Sequence, residues 1–213
     1  METYIRNKTK PTKNDLQDIA KIILNRTKIV SGGKSYRICE IEFYLRCDNH
    51  KDEYTHCNKD QLKYGRWYFH QFANGSFKAG TFKGMDLTLG DKDNNKYLGI
   101  LVRSLYDMDM NIMIKGPSNC VNELIGNHNE SNVKDFMSKV YSNVGLRTLP
   151  TKKTTKNKYI YLRDYIHRED NEIYHGPRIG LSDKYPVWRD INYRFVVKKN
   201  LIIKQKRSLV LME

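Results

Sequence analysis

Residues 38–45 read Ile-Cys-Glu-Ile-Glu-Phe-Tyr-Leu, and their alternation governs how the rest of the chain is read. At the two-residue period of a strand, Cys39, Ile41, Phe43 and Leu45 fall on one face. Glu40, Glu42 and Tyr44 share the other face with Ile38. A half-buried strand thus lines up two carboxylates and a phenol. Asp52-Glu53-Tyr54-Thr55-His56 follows a few residues later. Carboxylate, tyrosine and histidine at this spacing suit acid/base work on a planar substrate. A solvated strand face gives the same pattern, so the flanking sequence has to decide between the two.

Outward from this strand, Leu98–Leu105 is a nearly continuous apolar run and reads as a central strand. Gly65–His70 and Phe77–Leu89 read as strands interrupted by glycines. Upstream, Asn14 is placed to cap a helix whose buried face is Leu16, Ile19, Ala20 and Ile23. Gly116-Pro117-Ser118 opens a second helix with Val121, Leu124 and Ile125 inward and Gly126 as its stop. A third runs from a Ser131 cap through Val133, Phe136, Met137 and Val140 to Gly145. Thr151–Lys158 is a basic loop. Tyr159–Tyr165 and Ile191–Val197 read as strands. Regular β-α-β alternation is missing. The expectation is therefore one α+β domain with a curved, mainly antiparallel sheet flanked by helices. It spans residues 14–200, between a basic arm (1–13) and a basic C-terminal tail (201–213).

The 213 residues include 38 Lys+Arg against 24 Asp+Glu, a formal net charge of +14. Such an excess concerns partners rather than fold, and nucleic acid is the leading candidate. No apolar run is long enough to span a bilayer, and no hydrophobic leader opens the chain. A cytosolic or nuclear protein is expected, with no membrane partner. Cys39, Cys47, Cys57 and Cys120 fit free thiols in a reducing compartment. Cys47, His50, His56 and Cys57 lack the paired short spacing of structural zinc modules, so neither metal nor cofactor is expected.

Arg103 sits inside the most apolar run. A buried arginine is costly unless paired, and Glu40 or Glu42 from the neighbouring strand is available. Such a pair favours the charged forms of both, and a positioned, ionised carboxylate is what activates water. A structural ion pair would look the same. Tyr64-Gly65-Arg66-Trp67-Tyr68-Phe69-His70 interleaves rings with cations, as a base-stacking surface requires, while Trp67 and Phe69 fit the core. Phe72, Phe77 and Phe82 are candidates for a wedge entering a base stack.

In order along the chain, these pieces resemble the alkyladenine (3-methyladenine) DNA glycosylase family. Glu40-Ile41-Glu42-Phe43-Tyr44 is similar to that family's Glu-x-Glu-Ala-Tyr, and Asp52 to His56 to its Asp-x-x-x-His. Gly65 to His70 resembles its Gly-x-x-Tyr-x-Tyr, with His70 for the second tyrosine. Val102-Arg103-Ser104-Leu105, Gly116-Pro117, Pro177-Arg178-Ile179-Gly180, Trp188 and Arg194-Phe195 match further elements. The resemblance covers roughly residues 14–200. It implies a monomeric, monofunctional enzyme that flips a modified base from double-stranded DNA and hydrolyses its N-glycosidic bond with water. It implies Glu42 as the base that activates the water, with Arg103 and the backbone carbonyl of Ile179 holding that water. Tyr44, His56, Tyr68, His70 and Arg178 would bind the substrate. The family's intercalating tyrosine and gating asparagine have no match, and Phe43 replaces a small alanine. The excised base stays open between an alkylated purine and a bulky modified pyrimidine in foreign DNA. A non-catalytic nucleic-acid-binding module on the same scaffold is the alternative.

Overall fold

The computed structural model describes residues 11–140, 148–154, 158–165, 171–202 and 206–212. Helix α1 (Lys13–Arg26) leads into strands β1 (Thr27–Ser31), β2 (Lys34–Cys47), β3 (His50–Lys51), β4 (Tyr64–Phe69), β5 (Met85–Leu89), β6 (Tyr97–Asp107) and β7 (Ile112–Lys115). Helices α2 (Pro117–Gly126) and α3 (Val133–Val140) follow. Then come β8 (Thr148–Pro150), β9 (Ile160–Asp164), β10 (Tyr174–Gly176), helix α4 (Pro186–Arg189), β11 (Arg194–Val196) and β12 (Val210–Leu211). The strands form one open sheet in the order β12-β10-β11-β2-β6-β5-β4-β8, with β1, β3, β7 and β9 attached beside it. Every described pairing is antiparallel. The chain is a single α+β domain.

The longest ladder joins β2 to β6, so the two stretches singled out from sequence are neighbours at the centre. Cys39, Ile41, Phe43 and Leu45 from β2 and Leu98, Ile100 and Val102 from β6 are buried in one core cluster. Helix α1 adds Leu16, Ile19, Ala20, Ile23 and Leu24, and α2 adds Val121, Leu124 and Ile125. Apolar residues at three- and four-residue spacing put a continuous stripe on this face of the sheet. The opposite face of the sheet carries the polar residues.

The ladder contains two compensating bulges. Ile38 pairs with Leu105, Glu40 with Ser104 and Ile41 with Val102. Cys39 is thus an extra residue in β2 and Arg103 an extra residue in β6. A bulge re-aims the side chains beside it. Ile38 accordingly joins the core instead of sharing a face with the carboxylates, and Arg103 turns toward them.

Local corrections follow the same physics. The cap of α1 is Thr12, whose hydroxyl accepts from the Asp15 amide while Asp15 accepts from Thr12 N; Asn14 lies inside the first turn. This reciprocal box satisfies two helix-end donors at once, which a lone Asn cannot do. At α3, Asn132 Oδ1 accepts from Asp135 N, the role assigned to Ser131. Phe77–Leu89 is a strand only over Met85–Leu89, preceded by a 3-10 turn at Gly80–Phe82. In the basic C-terminal segment Ile202 and Leu209 are buried against Val196, and Val210–Leu211 pairs with β10. The arm at 1–10, the Gly145 stop and Ile203 lie outside the described residues.

Candidate active site

One row of cross-strand neighbours runs along the polar face. Tyr68 on β4 pairs with Asp86 on β5, Asp86 with Leu101 on β6, Leu101 with Glu42 on β2, and Glu42 with Arg194 on β11. Side chains on one face repeat every second residue, so Glu40 and Tyr44 flank Glu42 on its own strand. Loops 52–62 and 177–189 cover this row, which explains why so many of its polar groups are buried.

Glu42 has no exposed surface. Its Oε1 accepts from the Ile179 backbone N–H at 2.7 Å. Its Oε2 accepts from Arg103 Nη1 at 3.2 Å and from the Tyr44 hydroxyl at 2.9 Å. Burial, then the Glu42 charge, pushes the Tyr44 phenol well above its ordinary range, so the ring stays a neutral donor. Burial alone would lower Arg103, but Glu42 and Glu40 outweigh it and the guanidinium is raised. A buried carboxylate with three well-directed donors is fully compensated. The predicted trio of Glu42, Arg103 and Ile179 is therefore together, although Ile179 meets Glu42 through its amide.

Glu40, which flanks this row, is nearly as enclosed. Arg103 Nε donates to its Oε1 at 3.3 Å, Arg194 Nε to the same oxygen at 2.7 Å, and Ser104 Oγ to Oε2 at 2.6 Å. Arg103 thus bridges both glutamates. A cavity of about 440 Å³ opens at this end, walled by Glu40, Arg103, Ser104, Lys115, Ile179 and Arg194. Its rim includes Thr81, next to Phe82, whose ring is 72% exposed. Phe72 is also exposed, whereas Phe77 packs against the core and offers no wedge.

Arg178, expected to bind the substrate, is buried beside Tyr44. Its Nη1 donates to Asp52 Oδ2 at 2.6 Å and to the Phe43 carbonyl at 3.0 Å. Its Nη2 donates to Asp52 Oδ1 at 3.1 Å and to the Trp188 carbonyl at 2.8 Å. The guanidinium sits 4.6 Å from the centroid of the Tyr44 ring. A bidentate, buried arginine of this kind fixes the covering loops to β2 and sets the plane of Tyr44.

His56, Tyr68 and His70 meet in a corner three strands along the sheet from Glu42. The His56 and His70 rings are 4.6 Å apart, and Tyr68 lies 5.7 Å from His70. His70 Nε2 contacts Asp86 Oδ1 at 2.7 Å, and Gln61 Nε2 donates to Asp86 Oδ2 at 3.2 Å. Gly99 makes room for this pair: a Cβ there would stand 2.5 Å from Asp86 Oδ2 and 2.7 Å from Gln61 Nε2. Desolvation, with His70 close by, pushes His56 down from its ordinary range. His56 and His70 reach the surface; Tyr68 is floor.

Asp86 was not singled out, although the alternation in Met85-Asp86-Leu87-Thr88-Leu89 puts it on the polar face. Arg194, named from sequence only within the Arg194-Phe195 match, is fully buried. Nothing local distinguishes it; its partner Glu40 is 154 residues away. His50 contacts the Leu45 carbonyl and the Tyr193 hydroxyl, and Cys57 is exposed. Among the described residues no three His, Cys, Asp or Glu side chains cluster as metal ligands would. No helix among them is long and apolar enough to cross a membrane.

No family model matches the chain. The uncharacterized protein L759 of Acanthamoeba polyphaga mimivirus is 39% identical to it over 203 residues, which are 90% of each chain.

Proposed function

The chain belongs to one family with the mimivirus protein L759, and we propose that it is a monofunctional DNA glycosylase. It flips a modified base out of duplex DNA and releases it by hydrolysis. The observation that carries this reading is the Glu42 carboxylate, held by Arg103, Tyr44 and the Ile179 amide beside a cavity. In the reaction, water attacks the sugar carbon as the N-glycosidic bond breaks. The bonding pair leaves with the base, and Glu42 takes the proton from water. Water enters past Arg103 and Ile179, which stand between Glu42 and the cavity, by replacing one of the three donors. His56, His70 and Tyr44 stack against the flipped base.

The net charge of +14 supplies affinity for the backbone without sequence preference. Exposed Phe82, next to Thr81 of the cavity lining, is the residue that fills the hole left in the duplex on this reading. The reading carries a monomer working on double-stranded DNA in cytosol or nucleus. Alkylated purines and bulky modified pyrimidines are both candidate bases.

One observation favours a second reading. Glu42 has no exposed surface and all its donors are internal, as in a purely structural ion cluster. On that reading the protein binds nucleic acid without cutting a glycosidic bond. Incubation with duplexes carrying ethenoadenine, hypoxanthine, alkylpurines or modified cytosines, scored by alkaline cleavage at abasic sites, separates the two. Release from one of these that is lost in Glu42→Gln, with duplex binding kept, supports the enzyme. Binding without release from any of them supports the module.

A further inference from the structure

A second cavity lies away from the candidate active site. Its volume is about 870 Å³, and it opens between α1, the β4–β5 edge, β9 and the 150–154 loop. On β5 the alternation separates the two sites: Asp86 faces the His70 corner, whereas Leu87 and Leu89 belong to the core face. At this edge the core face has an opening, with Ile22, Leu87, Leu89 and Leu162 on its walls. A bulge at Gly65, with φ +66°, turns β4 so that Tyr64 packs with the core alongside Trp67 and Phe69. Tyr64 therefore brings a ring to the same cavity.

The polar part of the lining is strongly one-sided. Arg66, Lys152, Lys153 and Arg163 line the cavity with Arg26, against a single carboxylate, Asp164. Three hydroxyl residues, Thr27, Thr151 and Thr154, complete it. A pocket of this size, with apolar walls and a few convergent polar groups, is in the range of small-molecule sites, roughly 300–1,000 Å³. An acyl chain would have no use for the threonines, and a bare anion none for Leu87, Leu89 and Tyr64. A flat heteroaromatic ring joined to a hydroxylated sugar and a phosphate uses all three kinds of group.

We infer that this cavity is a second binding site, for a nucleoside 5′-phosphate. The base lies against Tyr64, Ile22 and Leu162, whose side chains keep exposed surface over the buried Leu87 and Leu89, and the phosphate meets the cations of β9 and the 150–154 loop. The nucleotide comes either free or as one unit of a single strand; the recognising chemistry is the same. This site does not depend on Glu42.

The test is calorimetric titration of the full chain with adenosine 5′-monophosphate, adenosine, inorganic phosphate and a short oligodeoxyadenylate. Saturable one-to-one binding of the monophosphate is expected. The exposed double variant Lys153→Glu/Arg163→Glu should weaken it at least tenfold, with an unchanged circular dichroism spectrum. Glu42→Gln should leave it at the wild-type value. Tighter binding of the oligodeoxyadenylate with the same variant sensitivity assigns the site to a strand; weaker binding assigns it to free nucleotide. Either supports the site. It is overturned by no saturation through the millimolar range, by a double variant that binds like the wild type, or by loss in Glu42→Gln. Inorganic phosphate displacing the monophosphate as well as the monophosphate itself also overturns it, since the apolar wall would then contribute nothing.

Discussion

The two carboxylate centres on the polar face are built to opposite plans. Glu42 receives three fixed donors from three different elements and has no exposed surface. Asp86, one pair of strands away, is held by Gln61 and His70, and His70 reaches the rim beside the exposed His56. The first centre spends its interactions on fixing one anion. The second leaves its rings where a ligand can touch them. A fixed anion suits a single proton transfer with little reorganisation, whereas exposed rings suit recognition of a planar group. Two neighbouring corners of one sheet face thus divide fixation of charge from exposure of rings.

Breaking the first centre should have the larger effect on chemistry. Glu42→Gln keeps the shape but turns one of the two carboxylate oxygens into an NH2 donor, and it removes the proposed base. Base release should fall by about 10²–10⁴-fold, the usual contribution of a positioned base, while a gel-shift assay shows duplex affinity within about twofold of wild type. Release that persists in this variant removes Glu42 from the chemistry. Asp86→Asn, at the second centre, should cost only about tenfold, and mainly in KM, because it loosens His70 without removing the base.

Arg178→Ala tests whether the covering loops depend on the buried pair. Removing one partner leaves Asp52 buried and unpaired, which costs about 3–5 kcal/mol in comparable buried pairs. Urea unfolding should show a loss of this size with an unchanged m-value. A loss below about 1 kcal/mol would mean that Arg178 neither anchors the loops nor positions Tyr44.

The pH response sharpens the contrast more gently. His50 and His128 are both pushed below the ordinary histidine range, first by burial. Below about pH 6.5 the unfolded chain takes up protons that the folded imidazoles refuse. Unfolding then binds protons, so stability is full above that pH and falls as pH falls toward the lowered folded values. The melting temperature should drop between pH 7.5 and pH 5 by roughly 2–4 °C for each kcal/mol lost. The smallest effect is at Phe82, the proposed wedge. Phe82→Ser should weaken binding to a flipped-base duplex severalfold with no change in melting temperature, because the ring is 72% exposed. Phe77→Ser should instead lower the melting temperature, since that ring packs on the core.

Much of this was legible in the chain. Residues 38–45 and 98–105 alternate or run apolar strongly enough to define two strands, and the three longer helices show their buried stripes. Glu42 and Arg103 were found because a cation within an apolar run demands a partner. The small elements β3, β7, β10, β12 and α4 were not legible: two to four residues carry no usable period, and pairing alone makes them strands.

Backbone periodicity is a local property, so the order of residues is enough to say which side chains share a face. Which of those faces ends up dry, and which side chains meet across it, depends on how the elements pack. The bulges at Cys39 and Arg103 changed the parity of two strands at one point of the ladder. Arg194 and Arg178 became buried because Glu40 and Asp52, more than a hundred residues away, fold against them. Long-range charge pairing of that kind leaves no periodic trace, because its cost and its compensation appear only when both partners leave water together.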